Sequence, residues 1–267
     1  MTTVCCPVCT APLTRGERVW FCPAGHSFDV ARHGYVNLLP VTQKHSLHPG
    51  DTREQVAARR DFLNGGYYAP IAERIDALLA QFCPDCRSLL DAGCGEGYYL
   101  SRLPQIPERW GIDISREAVR FAAVREKSAH FLVATASHLP FAGASFDALL
   151  SMFALTLPEE FSRVLTSGGV FLQVLAGQNH LPQLKSLIYP ELHHKEKELH
   201  PQLPGFTRLH EETLEFSFCL DDAQQVENLL SMTPHFWRIT KDGAQRLAQV
   251  SRLEDRAQVI FNVYQKA

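Results

Sequence analysis

Residues 89–97 read Leu-Leu-Asp-Ala-Gly-Cys-Gly-Glu-Gly. An apolar strand ends at Asp91, and Gly93, Gly95 and Gly97 follow as Gly-x-Gly-x-Gly. Glycines at such a turn let the backbone bend tightly and approach a ligand without Cβ clashes. The next strand, Trp110-Gly111-Ile112-Asp113, ends on an acid 20 residues after Gly93. An acid at that distance hydrogen-bonds both hydroxyls of a nucleotide ribose. The stretch therefore predicts an α/β nucleotide-binding fold.

The chain around it keeps the same rhythm. Strands are predicted at Ser88–Asp91, Arg109–Asp113, His130–Ala134, Phe146–Ser151 and Val170–Leu175, with helices at Tyr98–Leu103, Arg116–Glu126, Pro158–Leu165 and Leu181–Tyr189. Alternation of this kind gives a doubly wound parallel sheet. Upstream, Asp51 or Thr52 caps a predicted helix to about Leu63, and a second runs from Ala69 to Phe82 with Ile71, Ile75, Leu78 and Leu79 on one face. The C-terminal third departs from the rhythm. Thr207–Phe218 and Gln258–Tyr264 read as an antiparallel pair at the sheet edge, with a helix near Asp222–Leu230 between them.

NAD and S-adenosylmethionine both suit this geometry. Three features favour S-adenosylmethionine. The spacing is not Gly-x-Gly-x-x-Gly, and Asp91 is placed to face an ammonium. Downstream, Leu139-Pro140-Phe141 and Ser145-Phe146-Asp147 resemble the adenine-side loop and fourth strand of class I methyltransferases. In that class the loop often carries an acid toward the adenine amine, and here Thr135 stands at that position.

A second signature lies at the N-terminus. Cys6-x2-Cys9 and Cys22-x3-His26 supply three thiolates and one imidazole. Soft ligands in tetrahedral number suit zinc, and four protein ligands close the shell, so the site reads as structural. The domain reading is a zinc-binding, RNA-recognition module over 1–36, a linker over 37–52 and a class I methyltransferase domain over 53–267. Cys83-x2-Cys86 has no second pair nearby and reads as an ordinary helix end.

Composition narrows the class. With 267 residues, 45% apolar, the chain suffices for one large domain and a small appendage. No apolar run approaches a membrane span, and the first residues lack the pattern of a secretory signal, so a cytoplasmic protein is expected. Eight cysteines then read as metal ligands and free thiols. The net charge of −3 conceals an asymmetry, because residues 1–60 carry seven Lys/Arg against four acids. A basic end on an acidic body suits steering of a phosphate backbone.

At the level of motifs the chain resembles the large-subunit ribosomal RNA (guanine-N1)-methyltransferases. The resemblance is carried by the four metal ligands, Gly34-Tyr35-Val36-Asn37-Leu38-Leu39-Pro40, Pro49-Gly50-Asp51, Ala58-Arg59-Arg60-x-Phe62-Leu63, the loop from Asp91 to Tyr99, and Met232-Thr233-Pro234 before Trp237-Arg238. It implies a class I (Rossmann-like) fold with an N-terminal zinc module, and transfer of a methyl group to N1 of a guanine in a 23S rRNA hairpin. It adds Tyr68, Tyr99, Leu100 and His180 as cofactor contacts to Asp91, Gly93, Gly95, Gly97, Asp113 and Thr135.

Guanine N1 carries a proton at neutral pH and lies in the Watson–Crick edge, so the chemistry needs a proton acceptor and an unpaired, stacked base. Tyr98, Phe153, Phe236 and Trp237 are the stacking candidates, and Glu96, His138, Glu159 and Glu160 are titratable groups on suitable loops. None of these stands out as the base. A homodimer is expected because one small zinc module is a modest grip on folded RNA. Two further readings stay open: a small-molecule methyltransferase, and a non-catalytic RNA-binding assembly factor.

Overall fold

The computed structural model describes residues 2–43, 49–191 and 198–267, so part of the predicted linker, 44–48, lies outside the described residues. Three short antiparallel strands, β1 (Thr14–Arg15), β2 (Val19–Phe21) and β3 (Ser27–Asp29), form the N-terminal ribbon. The chain then enters the main sheet through β4 (Val36–Asn37). The helices α1 (Arg53–Asn64) and α2 (Ala69–Phe82) follow, then β5 (Ser88–Ala92), β6 (Glu108–Asp113), α3 (Arg116–Arg125), β7 (His130–Val133) and β8 (Phe146–Met152). The last third holds α4 (Pro158–Val164), β9 (Leu165–Ala176), α5 (Pro182–Ile188), β10 (Phe206–Leu220), α6 (Ala223–Ser231), α7 (Lys241–Leu247) and β11 (Leu253–Lys266).

The large sheet has the order β10-β11-β9-β8-β5-β6-β7-β4. From β4 to β9 neighbouring strands are parallel, and β11 runs antiparallel between β9 and β10. The central strands are apolar and buried on both faces, with Leu89, Leu90, Trp110, Ile112, Leu149 and Leu150 fully enclosed, as a parallel sheet covered by helices requires. Strand order reverses between β5 and β8. Such switch points leave a crevice at the carboxyl ends of the strands.

Local chemistry fixes the helices around that crevice. Thr52 closes a capping box on α1: its hydroxyl accepts from the Gln55 amide, and the Gln55 side chain accepts from the Thr52 amide. Ser115 caps α3 by accepting from the Ala118 amide. Asp255, buried on β11, accepts the Gln183 and Leu184 amides and so holds the start of α5 (3.1 and 2.9 Å).

One predicted element is corrected. The helix expected over Tyr98–Leu103 is a single 3₁₀ turn, Leu100–Arg102. Pro104 follows, and its ring pushes the preceding residue out of the helical region; Leu103 accordingly leaves it at φ −119°, ψ 49°.

The ribbon shares its core with the sheet. Val4, Leu13, Trp20, Val36 and Leu38 pack with Trp110, Leu132, Phe141 and Phe146 in one buried cluster. Backbone bonds join the two parts: Cys5 N–H to the Pro140 carbonyl (2.9 Å) and Ala142 N–H to the Thr3 carbonyl (3.0 Å). The Arg15 guanidinium lies over the Trp110 ring, 4.5 Å from its centroid, a cation–π contact at the seam. Among the described residues no helix is long and apolar enough to cross a membrane.

Phe141 sits at the seam, edge-on to Trp110 at 5.3 Å and to Phe146 at 4.9 Å. Phe141→Ala is expected to cost about 3–5 kcal/mol, read as a lowered urea midpoint. A loss under about 1 kcal/mol would show that ribbon and sheet do not form one core.

Candidate active site and metal centre

The glycine loop leaves β5 at the switch point. Asp91, one residue before the end of the strand, has its side chain almost fully buried, and neither carboxylate oxygen has a hydrogen-bond partner among the described residues. Burial, reinforced by the neighbouring Asp113 charge, pushes the Asp91 carboxyl up to about 8. Gly93 follows at φ +98°, and a Cβ there would come within 3.0 Å of the Ala154 Cβ. Only glycine takes that backbone without strain. Asp113, at the end of β6, folds back on the loop: its carboxylate accepts the Gly95 amide (3.0 Å) and the Ser115 amide (2.8 Å). Burial raises its carboxyl, and those two amides work against the shift.

A cavity opens above the loop, lined by Gly93, Gly95, Tyr68, Tyr99, Arg59 and Phe153 among others. A larger cleft of about 720 Å³ adjoins it and shares Arg59, Tyr68, Phe153 and Met232. Its far wall carries His180, Lys185, His235 and Arg238. The Tyr68 hydroxyl lies 3.2 Å from His180 Nε2, so these two predicted residues meet. Burial holds the Tyr68 and Tyr99 phenols well above their ordinary range, and both stay protonated. Leu100 is fully buried behind Tyr99, with its carbonyl accepting from Arg109 Nη1 at 3.2 Å. Thr135 sits in the turn after β7, its hydroxyl 2.9 Å from that of Ser137, and does not line either cavity.

The stacking and acid–base candidates separate on geometry. Tyr98 is buried in the core. Phe153 follows β8 in the left-handed region at φ +51°, an unusual place for an aromatic residue. Its amide is pinned to the Val174 carbonyl (2.9 Å), and the residue, 41% exposed, lines both cavity and cleft. Phe236 and Trp237 are exposed on the 3₁₀ turn whose neighbours Pro234, His235 and Arg238 line the cleft. Glu96 borders the cavity but pairs with Arg125 at 2.6 Å, and Glu160 is engaged by Arg163 and the Leu139 amide. His235 on the cleft wall meets the Tyr189 hydroxyl at 2.8 Å. Sequence reading gave no role to Arg59, Met232 or His235. The signal for the first two lay in the family runs around Ala58 and Met232, where nothing in the spacing says which side chain turns inward.

The metal centre is assembled on the ribbon. The ligand atoms of Cys6, Cys9, Cys22 and His26 lie within 4.8 Å of one another. Cys22 Sγ is 3.3 Å from His26 Nδ1 and 3.6 Å from Cys9 Sγ. A tetrahedral zinc with bonds near 2.3 Å needs ligands about 3.7 Å apart, so the donor set fits.

The family described as "RlmA, N-terminal" matches residues 4–47, and the methyltransferase domain family matches residues 90–173. The 23S rRNA (guanine(748)-N(1))-methyltransferase of Streptomyces fradiae is 35% identical over 262 residues, which cover 94% of this chain and 91% of that protein. The chain belongs to the 23S rRNA (guanine-N1)-methyltransferase family. A Micromonospora griseorubida protein provisionally given the same guanine-N1 designation is 37% identical over 201 residues, 67% of each chain. The malonyl-[acyl-carrier protein] O-methyltransferase of Hamiltonella defensa subsp. Acyrthosiphon pisum (strain 5AT) is 29% identical over 126 residues, 43% of this chain and 49% of that protein. As a member of the guanine-N1 family the protein is a methyltransferase, with S-adenosylmethionine as its cofactor and zinc as its structural metal.

For the zinc centre, the expected result is one zinc per chain by elemental analysis, falling to a small fraction with Cys22→Ser. Because ribbon and sheet share a core, stripping the metal with a chelator is expected to lower the melting temperature of the whole chain. An unchanged melting curve after complete metal loss would refute a structural role.

Proposed function

We propose that this enzyme transfers the methyl group of S-adenosylmethionine to N1 of a guanine in a hairpin of 23S rRNA. The observation that carries the reading is the pair of joined cavities. One is floored by the glycine loop, which starts directly after the buried, unpartnered Asp91, and the other is walled by Lys185, His235 and Arg238, with Phe153 lining both.

Bound S-adenosylmethionine supplies an electrophilic methyl on a sulfonium. Asp91 answers its ammonium, the loop at Gly93, Gly95 and Gly97 admits its backbone-proximal atoms, and Asp113 takes the ribose hydroxyls. Tyr68, Tyr99 and His180, which line the joined cavities, form the remaining wall, with Leu100 behind Tyr99 and Thr135 outside both cavities on the side assigned to the adenine. The fit rests on charge. A buried carboxylate without a partner is unfavourable, and a cation in the cavity removes that penalty. The protein's remaining task is alignment, since methyl transfer is an in-line displacement.

The target guanine must leave its pair to expose N1. Of the four stacking candidates, Phe153 is the one that lines both cofactor cavity and cleft, and it provides the stacking surface. Exposed Val8 and Phe21 on the ribbon, with the basic first 60 residues, suit contact with the hairpin. Because the ribbon is small, two copies acting together complete the grip. The site of action is the cytoplasm, where 23S rRNA is found.

Incubation with 23S rRNA and S-adenosylmethionine, followed by nucleoside mass spectrometry, is expected to yield 1-methylguanosine and a reverse-transcription stop at one guanine. Phe153→Ala is expected to lower kcat/KM by about 5–100-fold, the range of one base-stacking contact. A methyl group on another nucleoside, or bound cofactor with no RNA product, would refute the guanine-N1 reading.

A further inference from the structure

Arg59 is the one cation among the described residues lining the cofactor cavity. It projects from α1 over the glycine loop, its Cδ 3.9 Å from where a Cβ on Gly95 would stand. Its guanidinium is held in place before any ligand arrives: Nη2 donates to Asp51 Oδ2 (2.5 Å) and to the Met232 carbonyl (3.2 Å). Its Nε is buried and has no acceptor among the described residues. A buried donor left without an acceptor is unfavourable, and a ligand acceptor relieves it.

The brace on Arg59 is built into the sequence. Gly50 takes φ +83°, and a Cβ there would come within 2.7 Å of the Ser115 Cβ. The loop therefore packs directly on the cap of α3, where the Ser115 hydroxyl donates to the Asp51 carbonyl (2.7 Å). Ser115 also donates its amide to Asp113. One chain of bonds thus fixes Asp51 and Asp113 relative to each other, and Asp51 fixes Arg59. The runs Pro49-Gly50-Asp51 and Ala58-Arg59-Arg60 acquire a shared purpose.

The amino-acid end of S-adenosylmethionine is a zwitterion. Asp91 offers charge to its ammonium, and Arg59 is the one cation among the described residues lining the cavity that can answer its carboxylate. We propose that Arg59 binds that α-carboxylate, so that the cavity clamps both charges of the amino-acid end. The inference rests on the cofactor reading above and names the group that recognises the carboxylate. Arginine suits the task because its planar fork matches a carboxylate, which a lysine meets only as a point charge.

The test is isothermal titration of the full chain with S-adenosylmethionine and with decarboxylated S-adenosylmethionine, which keeps sulfonium and ammonium. The wild type is expected to bind the intact cofactor about 10–100-fold tighter, the range of a charge-assisted hydrogen bond. Arg59→Met is expected to erase that preference while binding the decarboxylated ligand as the wild type does, which also shows that the cavity is intact. Arg59→Lys is expected to recover part of the preference, and it serves in place of Arg59→Met if that variant does not fold. Equal affinity of the wild type for the two ligands, or an undiminished preference in the Arg59 variants, overturns the proposal alone. A wild type that binds neither ligand overturns the cofactor reading with it.

Discussion

The site depends on one buried carboxyl group without a hydrogen-bond partner. Asp91 lies near the end of the central strand with both oxygens buried and unpartnered. Desolvation disfavours an ionised carboxylate, and its raised pKa reflects this. Stability associated with the raised pKa is fully present below the unfolded value of about 4 and is lost as pH rises through about 8. The free protein tolerates this because the flanking structure is over-determined. Gly93 and Cys94 donate their amides to the Ile112 carbonyl (both 2.9 Å), and Asp113 ties down Gly95. A rigid carboxyl whose ionised form is held back by burial is a site prepared for a cation.

The ribbon contributes to the same rigidity from the other end of the sheet. Its core is continuous with that of β6 and β7, and β4 extends the sheet by one strand. A module too small to bury its own apolar surface is stabilised by its metal and by its host together. The RNA contacts proposed for the ribbon would therefore be registered against the domain that holds the cofactor, because β4 joins the ribbon to the sheet. That arrangement suits an enzyme that must bring one base among many to a methyl group.

Much of this was legible in the residues, for identifiable reasons. Parallel strands buried on both faces are written as apolar runs, so Leu89-Leu90 and Ala148-Leu149-Leu150 announced themselves. Zinc ligands must be adjacent in space and are here nearly adjacent in sequence, so their spacing predicted a cluster that the fold assembles. The helix after the glycine loop failed because Pro104 acts beyond the apolar pattern that suggested it. The short strand β4 was missed because two residues carry no periodicity, and α7 because it buries only Gly243 and Leu247 and so shows no apolar stripe. Arg59 was invisible as a ligand group because its environment comes from Asp51, Gly95 and Met232, which only the tertiary structure brings together. Phe153 could not be told from Tyr98 until their burial was known.

The measurement that tests this account most directly is a ¹³C NMR pH titration of the Asp91 carboxyl, assigned with Asp91→Asn, in the free protein and with S-adenosylmethionine bound. The account predicts a midpoint near 8 in the free protein, and a fall to about 5 or lower with the cofactor, because a partnered ammonium favours the ionised form. A free-protein midpoint in the ordinary range near 4, unmoved by the cofactor, would contradict it.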